Sequence, residues 1–127
     1  MLRRCLIIDD ADDVRLLLRL TLTRAGFEVV AEAATAAAAL DAAATEAPEV
    51  VLVDLMLPGS DGLATIASLR AILPDAQIAV CSGMPSQLVG PACFNAGADY
   101  FLEKTSLIDI GSRLARLLGP GQSQDRR

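Results

Sequence analysis

At 127 residues with 53% hydrophobic side chains, the chain is one domain with room for a substantial core, and with 3% aromatics that core is aliphatic. A net charge of −5 disfavours non-specific nucleic-acid binding. No apolar stretch approaches the ~20 residues that cross a bilayer, the first strand starts too early for a signal peptide, and a cytoplasmic location is the default expectation. With no histidine in the chain, a histidine kinase, a histidine phosphotransfer protein, a histidine-based triad and most zinc sites are excluded. Cys5, Cys81 and Cys93 are odd in number and lack metal-ligand spacing, so they read as reduced structural thiols.

In chain order, residues 6–8 form a short apolar run suited to a strand buried on both faces. Asp12 or Asp13 is placed to cap the next helix, whose stripe is Val14, Leu17, Leu18, Thr21, Leu22 and Ala25, and Gly26 stops it. Residues 28–31 are a second strand, and the alanine-rich stretch 35–46 is a helix explained by propensity alone. Pro48 precedes the third strand, 50–53. A turn of Pro58, Gly59, Asp61 and Gly62 leads into a helix through Ile66, Leu69 and Leu73. Pro74-Asp75 opens onto a fourth strand, 77–81, and Gly97 precedes a fifth, 100–103. Leu107, Ile110, Leu114, Leu117 and Leu118 give the last helix its apolar face, ended by Gly119-Pro120. The domain is expected to occupy residues 1–119, with 120–127 a disordered tail. Strands alternating with helices imply a single-domain, doubly wound α/β fold around a parallel sheet. The fourth helix fits worst, because Gly90-Pro91 falls in its middle. An interior proline costs ~3 kcal/mol, so that helix is expected to be short, kinked, or to start near Pro91.

Four of the apolar runs end in polar residues: Asp9-Asp10, Asp54, Ser82 and Lys104. In a parallel sheet these meet at the carboxyl edge, where open α/β sheets bind ligands. Two carboxylates ~4 Å apart repel by roughly 4 kcal/mol at an effective dielectric of ~20, so Asp9, Asp10 and Asp54 together call for a cation. Mg²⁺ fits, being hard, oxygen-seeking and content to keep waters. A carboxylate beside it is a candidate nucleophile for an aspartyl phosphate. Singly, each residue has a plainer reading: a turn or cap for Asp9-Asp10, a loop start for Ser82, a solvated charge for Lys104. Asp54 has no structural need to follow four apolar residues. Lys104 is the only lysine, the other ten basic residues being arginine, and a lysine offers a point charge to a phosphoryl oxygen where arginine offers a fork.

Over residues 6–118 these features resemble the receiver domain of two-component response regulators, the CheY-like superfamily. Asp9-Asp10 matches its acidic pair and Asp54 its phosphoacceptor. Leu57-Pro58-Gly59 with Asp61-Gly62 resembles the turn that follows. Ser82, Gly97-Ala98-Asp99 and Lys104 also match. The resemblance implies a flavodoxin-like (βα)5 sheet in strand order 2-1-3-4-5. It implies that Asp54 takes a phosphoryl group from a phosphohistidine of a sensor kinase or phosphotransfer protein. Asp10, Asp54 and the Met56 backbone carbonyl would bind Mg²⁺ directly, and Asp9 through a water. Ser82 and Lys104 would hold phosphoryl oxygens. Phe101 would be the switch aromatic, with core packing as its plainer role, and Tyr100 would face the opposite way. The fourth helix, fifth strand and fifth helix would carry the change to a downstream protein or effector, and a weak homodimer is compatible with it. Such a domain is not an enzyme toward outside substrates, although it catalyses its own phosphorylation and dephosphorylation.

Three departures from the family pattern stand out. Thr105 replaces the proline that usually follows the lysine, and a cis bond there would cost ~2.5–4 kcal/mol, so the Lys104–Thr105 peptide is expected to be trans. Gly83 replaces a small residue, commonly alanine, and loosens the switch loop. Gly90-Pro91 interrupts the usual output helix. Met56 and Met84 flank the site and are candidates to restrict attacking water. The alternatives are a pseudo-receiver that binds partners without phosphorylation, a Mg²⁺-dependent phosphohydrolase, and a flavin module. The hydrolase would want a second acid where Met56 stands, and Asp9-Asp10-Ala11-Asp12 would repel a flavin phosphate.

Overall fold

The computed structural model describes residues 2–120; the expected tail lies outside them from residue 121 onward. Strands and helices alternate as β1 (Arg3–Ile8), α1 (Asp12–Arg24), β2 (Phe27–Ala33), α2 (Ala36–Glu46), β3 (Val50–Asp54), α3 (Gly62–Ile72), β4 (Gln77–Ser82), α4 (Ser86–Ala96), β5 (Tyr100–Glu103) and α5 (Ile110–Leu118). The sheet is parallel throughout, in the order β2-β1-β3-β4-β5 that the resemblance implied. No described helix is long and apolar enough to cross a membrane.

The continuous apolar runs are buried on both faces because successive strand side chains point in opposite directions. Leu6, Ile8, Val51, Val53, Ile78 and Val80 pack with Ala39, Ala43, Ile66, Leu69 and Cys93, under α2, α3 and α4. Their neighbours Cys5, Ile7, Val50, Leu52, Ala79 and Cys81 pack with Leu18, Leu22, Ile110 and Leu114, under α1 and α5. Phe101 joins the first layer and Tyr100 the second, so they do face opposite ways. The three cysteines are free and buried. Burial pushes the Cys5 thiol up to about 12 and, partly offset by Lys104, the Cys81 thiol to about 11, which leaves them protonated and unreactive.

Local chemistry sets most helix ends. Thr35 caps α2, its hydroxyl accepting from Ala38 N at 3.1 Å, and Asp61 caps α3, accepting from Leu63 N at 3.0 Å. Helix α1 departs from expectation: its N-cap is Ala11, with no side-chain cap bond, and Asp12 and Asp13 lie inside its first turn. There their charges oppose the positive end of the helix dipole. The apolar face of α5 is Ile110, Leu114 and Leu118; Leu107 precedes the helix and Leu117 is exposed.

Helix α4 corrects two of the three expectations for Gly90-Pro91, the late start and the short length. It neither starts at Pro91 nor stops short, but runs from Ser86 to Ala96 with Pro91 inside. Gln87, whose carbonyl loses its helical partner, and Pro91 are both exposed, so the missing bond lies on the solvent face of the helix, where it costs less than in the core. Gly90 is the buried member of the pair. The Lys104–Thr105 peptide is trans, as expected from its energy; the described residues contain no cis bond.

Two glycines permit close approaches. A Cβ on Gly62 would lie 2.1 Å from the Leu55 carbonyl oxygen, so α3 rests directly on the loop after β3. A Cβ on Gly111 would lie 2.1 Å from the Thr21 carbonyl oxygen. At that contact the Thr21 hydroxyl donates to Ile108 O (2.7 Å) and accepts from Gly111 N (3.1 Å), joining α1 to α5. Gly111→Ala is therefore expected to force the two helices apart and destabilise by about 1–3 kcal/mol. Gly83→Ala has no atom within 4 Å of the added Cβ and no left-handed φ; it is expected to stabilise by ~0.4–1 kcal/mol through the unfolded chain. Urea midpoints of the two variants check both signs.

Candidate functional site

The strand order reverses between β1 and β3, because the chain leaves β1 for β2 on one side and returns to β3 on the other. That reversal opens a crevice at the carboxyl edge. Ile8 pairs with Val53, so the next residues, Asp9 and Asp54, flank the crevice. Val53 pairs with Val80 and Val80 with Phe101. Ser82 and Lys104 therefore stand beyond that row, on the last residue of β4 and just past β5.

Asp9, Asp10 and Asp54 each offer a carboxylate oxygen, and the three atoms lie within 4.8 Å of one another. Oxygens across one Mg²⁺ are about 4.2 Å apart, given ~2.1 Å bonds, so small rotations suffice to close the set around an ion. All three donors are hard oxygens, the chemistry Mg²⁺ selects. Asp9 and Asp54 are buried, at 1% and 8% exposure, while Asp10 is open to solvent.

Lys104 reaches into this cluster. Its Nζ donates to Asp9 Oδ2 at 2.7 Å and to Asp54 Oδ2 at 3.3 Å. Burial disfavours its ammonium, but the Asp9 hydrogen bond and the charges of Asp54 and Asp9 outweigh this and hold its pKa above the ordinary value of 10.5. Asp54 Oδ1 accepts from Met56 N at 3.0 Å, which fixes the carboxylate and the loop carrying the Met56 carbonyl. The Met56 side chain is 63% exposed, too open to shield the site from water in this conformation.

Ser82 is fully buried. Its hydroxyl accepts from Met84 N at 3.1 Å, and its proton has no acceptor among the described residues. Lys104 N donates to Ser82 O at 2.7 Å, tying β5 to β4 at the site. Phe101 is half-buried against Met84 and Val89's layer of the core.

Two nearby residues escape the sequence reading. Glu103 Oε2 accepts from Ser86 N at 2.8 Å, capping α4 from the neighbouring strand, since Pro85 offers no side-chain cap. That backbone bond holds the Glu103 carboxyl below the usual range. Arg15 donates from Nη1 to the Asp9 carbonyl at 2.7 Å. The signal for Glu103 was its place beside Lys104; for Arg15 it was one turn of helix after the acidic pair. Neither spacing specifies a partner.

Two outcomes follow from this geometry. Asp10 adds a third carboxylate to the two that share the Lys104 ammonium, so Asp10→Asn is expected to raise stability in chelator by about 1 kcal/mol, a value reduced for exposure, and to lose most of the stabilisation that Mg²⁺ gives the wild type. Urea unfolding with chelator and with Mg²⁺ checks both. Because the Lys104 pKa is raised on folding, its stabilising contribution is fully present below ~10.4 and is lost as pH rises through the higher folded value. The stability gap between wild type and Lys104→Met is thus expected to stay level from about pH 6 to 9 and to narrow only above ~10.5.

Residues 5–112 match the family described as response regulator receiver domain. The chain is similar to the chemotaxis protein CheY of Bacillus subtilis, 36% identical over 104 residues, covering 82% of this chain and 87% of that one. It superposes with a TM-score of 0.84 on a CheY-like receiver domain protein from Methanospirillum hungatei, at 26% identity over 99% of this chain and all of that one. A response regulator from Burkholderia pseudomallei, solved with a phosphorylated aspartic acid, a calcium ion and citrate, gives a TM-score of 0.80 at 33% identity, covering 97% of this chain and 70% of that one. Fold, sequence profile and the acidic crevice agree: the chain belongs to the receiver domains of two-component response regulators.

Proposed function

We propose that this receiver is a phosphoacceptor, in which Asp54 takes a phosphoryl group from a phosphohistidine of a sensor kinase or phosphotransfer protein in the cytoplasm. The observation that carries the reading is the Lys104 ammonium bridging Asp9 and Asp54 beside a third carboxylate. Asp9, Asp10, Asp54 and the Met56 carbonyl are the groups to hold Mg²⁺, Asp9 through a water. When bound, the metal neutralises charge that builds on the phosphoryl oxygens.

The chain's own residues supply the rest. An Asp54 carboxylate oxygen attacks phosphorus as the P–N bond to the donor imidazole breaks, and the electron pair of that bond leaves on the nitrogen. Met56 N holds the other Asp54 oxygen, which keeps the attacking atom aimed into the crevice. Lys104 exchanges its Asp54 contact for a phosphoryl oxygen. Ser82 uses its spare hydroxyl proton on another, drawing the loop at residues 83–85 inward. Phe101 then turns into the space vacated, and α4, β5 and α5 present the altered face to a downstream protein. The pseudo-receiver reading has no missing site residue to support it. A hydrolase lacks a second carboxylate at Met56, and the acidic cluster disfavours a flavin phosphate.

Intact mass after incubation with an acyl phosphate and Mg²⁺ tests the proposal. The expected result is one added phosphoryl group, dependent on Mg²⁺ and absent in Asp54→Asn. No adduct, together with no binding of beryllofluoride, would overturn it in favour of the pseudo-receiver; release of many phosphates per chain would favour the hydrolase.

A further inference from the structure

Among the three candidate metal ligands, Asp10 poses a physical problem. It is exposed, and no hydrogen bond from the described residues reaches its carboxylate, whereas Asp9 and Asp54 are held on both oxygens. Its side chain can be presented to an ion only by the backbone on either side of it. Each peptide is a rigid plane, so the two planes flanking Asp10 decide where that side chain projects.

Both planes are pinned. The plane after Asp10 is held through Ala11 N, which donates to Asp9 Oδ1 at 2.9 Å. The plane before it is held through the Asp9 carbonyl, which accepts from Arg15 Nη1 at 2.7 Å. Arg15 is itself fixed: Nη2 binds the Asp12 carboxylate, Nε lies 3.5 Å from Glu32, and Glu32 is held in turn by Arg19 at 3.0 Å. Its side chain is 17% exposed. Three directions of one planar fork are thus engaged, just past β1, on α1 and on the edge strand β2. A lysine's point charge reproduces only one of them.

We infer that Arg15 is a positioning residue for divalent-cation binding, acting through the Asp9–Asp10 peptide to aim the Asp10 carboxylate. The inference deepens the phosphoacceptor reading and rests on its metal site. It makes a prediction of opposite sign to plain electrostatics. Removing a cation beside an acidic cluster should tighten the binding of Mg²⁺ if charge alone mattered. Removing a positioning group should weaken it.

Calorimetric Mg²⁺ titration of the full chain, with thermal unfolding of each variant in chelator, decides between them. Arg15→Ala is expected to raise the Mg²⁺ Kd by roughly tenfold or more, in the range of outer-shell substitutions at metal sites, and Arg15→Lys by an intermediate factor. Glu32→Gln leaves the Arg15–Asp9 bond in place and is expected to change the Kd by less than about threefold. An Arg15→Ala variant that folds and binds Mg²⁺ as tightly as wild type, or more tightly, overturns the inference. If Arg15→Ala does not fold, Arg15→Lys carries the decision, and an unchanged Kd there overturns it. A wild type without Asp54-dependent Mg²⁺ binding would instead overturn the metal site itself, and the inference with it.

Discussion

The Lys104 ammonium, shared between Asp9 and Asp54, is the interaction on which the rest of the site depends. β5 stands three strands from β1, roughly 14 Å at ~4.8 Å per strand, so only a long side chain leaving the strand end can bridge that gap. The bond to Asp9 is the shorter of the two, and Asp9 is the more buried carboxylate. A charge at 1% exposure is tolerated because it is paired and because its second oxygen takes the Ala11 N–H. The same residue thereby anchors the lysine, the β1–α1 turn and, through its carbonyl, Arg15.

One ammonium does not balance three carboxylates. The pairing of Ile8 with Val53 fixes the backbone of Asp9 and Asp54 side by side at the ends of adjacent strands, and only side-chain rotation is left to ease their repulsion. The fold thus keeps a site that favours any arrangement bringing in positive charge. That is a property suited to metal-dependent phosphoryl chemistry rather than to stability. The surrounding core, aliphatic and packed on both faces of the sheet, makes the arrangement rigid.

The region beyond Ser82 is held differently. Between Ser82 and Ser86 the chain is held by two side-chain bonds, Met84 N to the Ser82 hydroxyl and Ser86 N to the Glu103 carboxylate, and by the Pro85 carbonyl, which accepts from Leu88 N and Val89 N. Nothing in the described structure lies within 4 Å of where a Gly83 side chain would be. Pro91 removes one bond from α4 on its solvent face. Both side-chain bonds that hold this loop sit one residue or less from Ser82 or Lys104. Change at the site and change at α4 are mechanically adjacent.

The sequence alone determined the element order, the doubly wound parallel sheet and the meeting of Asp9, Asp10, Asp54, Ser82 and Lys104 at one edge. Period-two burial and strand-end polarity are local signals, and parallel topology turns them into a site. It also determined the trans Lys104–Thr105 bond, because that preference belongs to the peptide itself. Tertiary structure decided what local propensity leaves open. Pro91 stays within α4 because its face meets water and because Glu103, from another strand, caps the helix start. Asp12 and Asp13 were read as caps from spacing, yet Ala11 takes that place and the turn is fixed instead by Asp9, itself held by Lys104 far along the chain. Arg15 carries no motif. Its partner is a backbone carbonyl, which every residue possesses, so only the folded positions of β1, α1 and β2 select it.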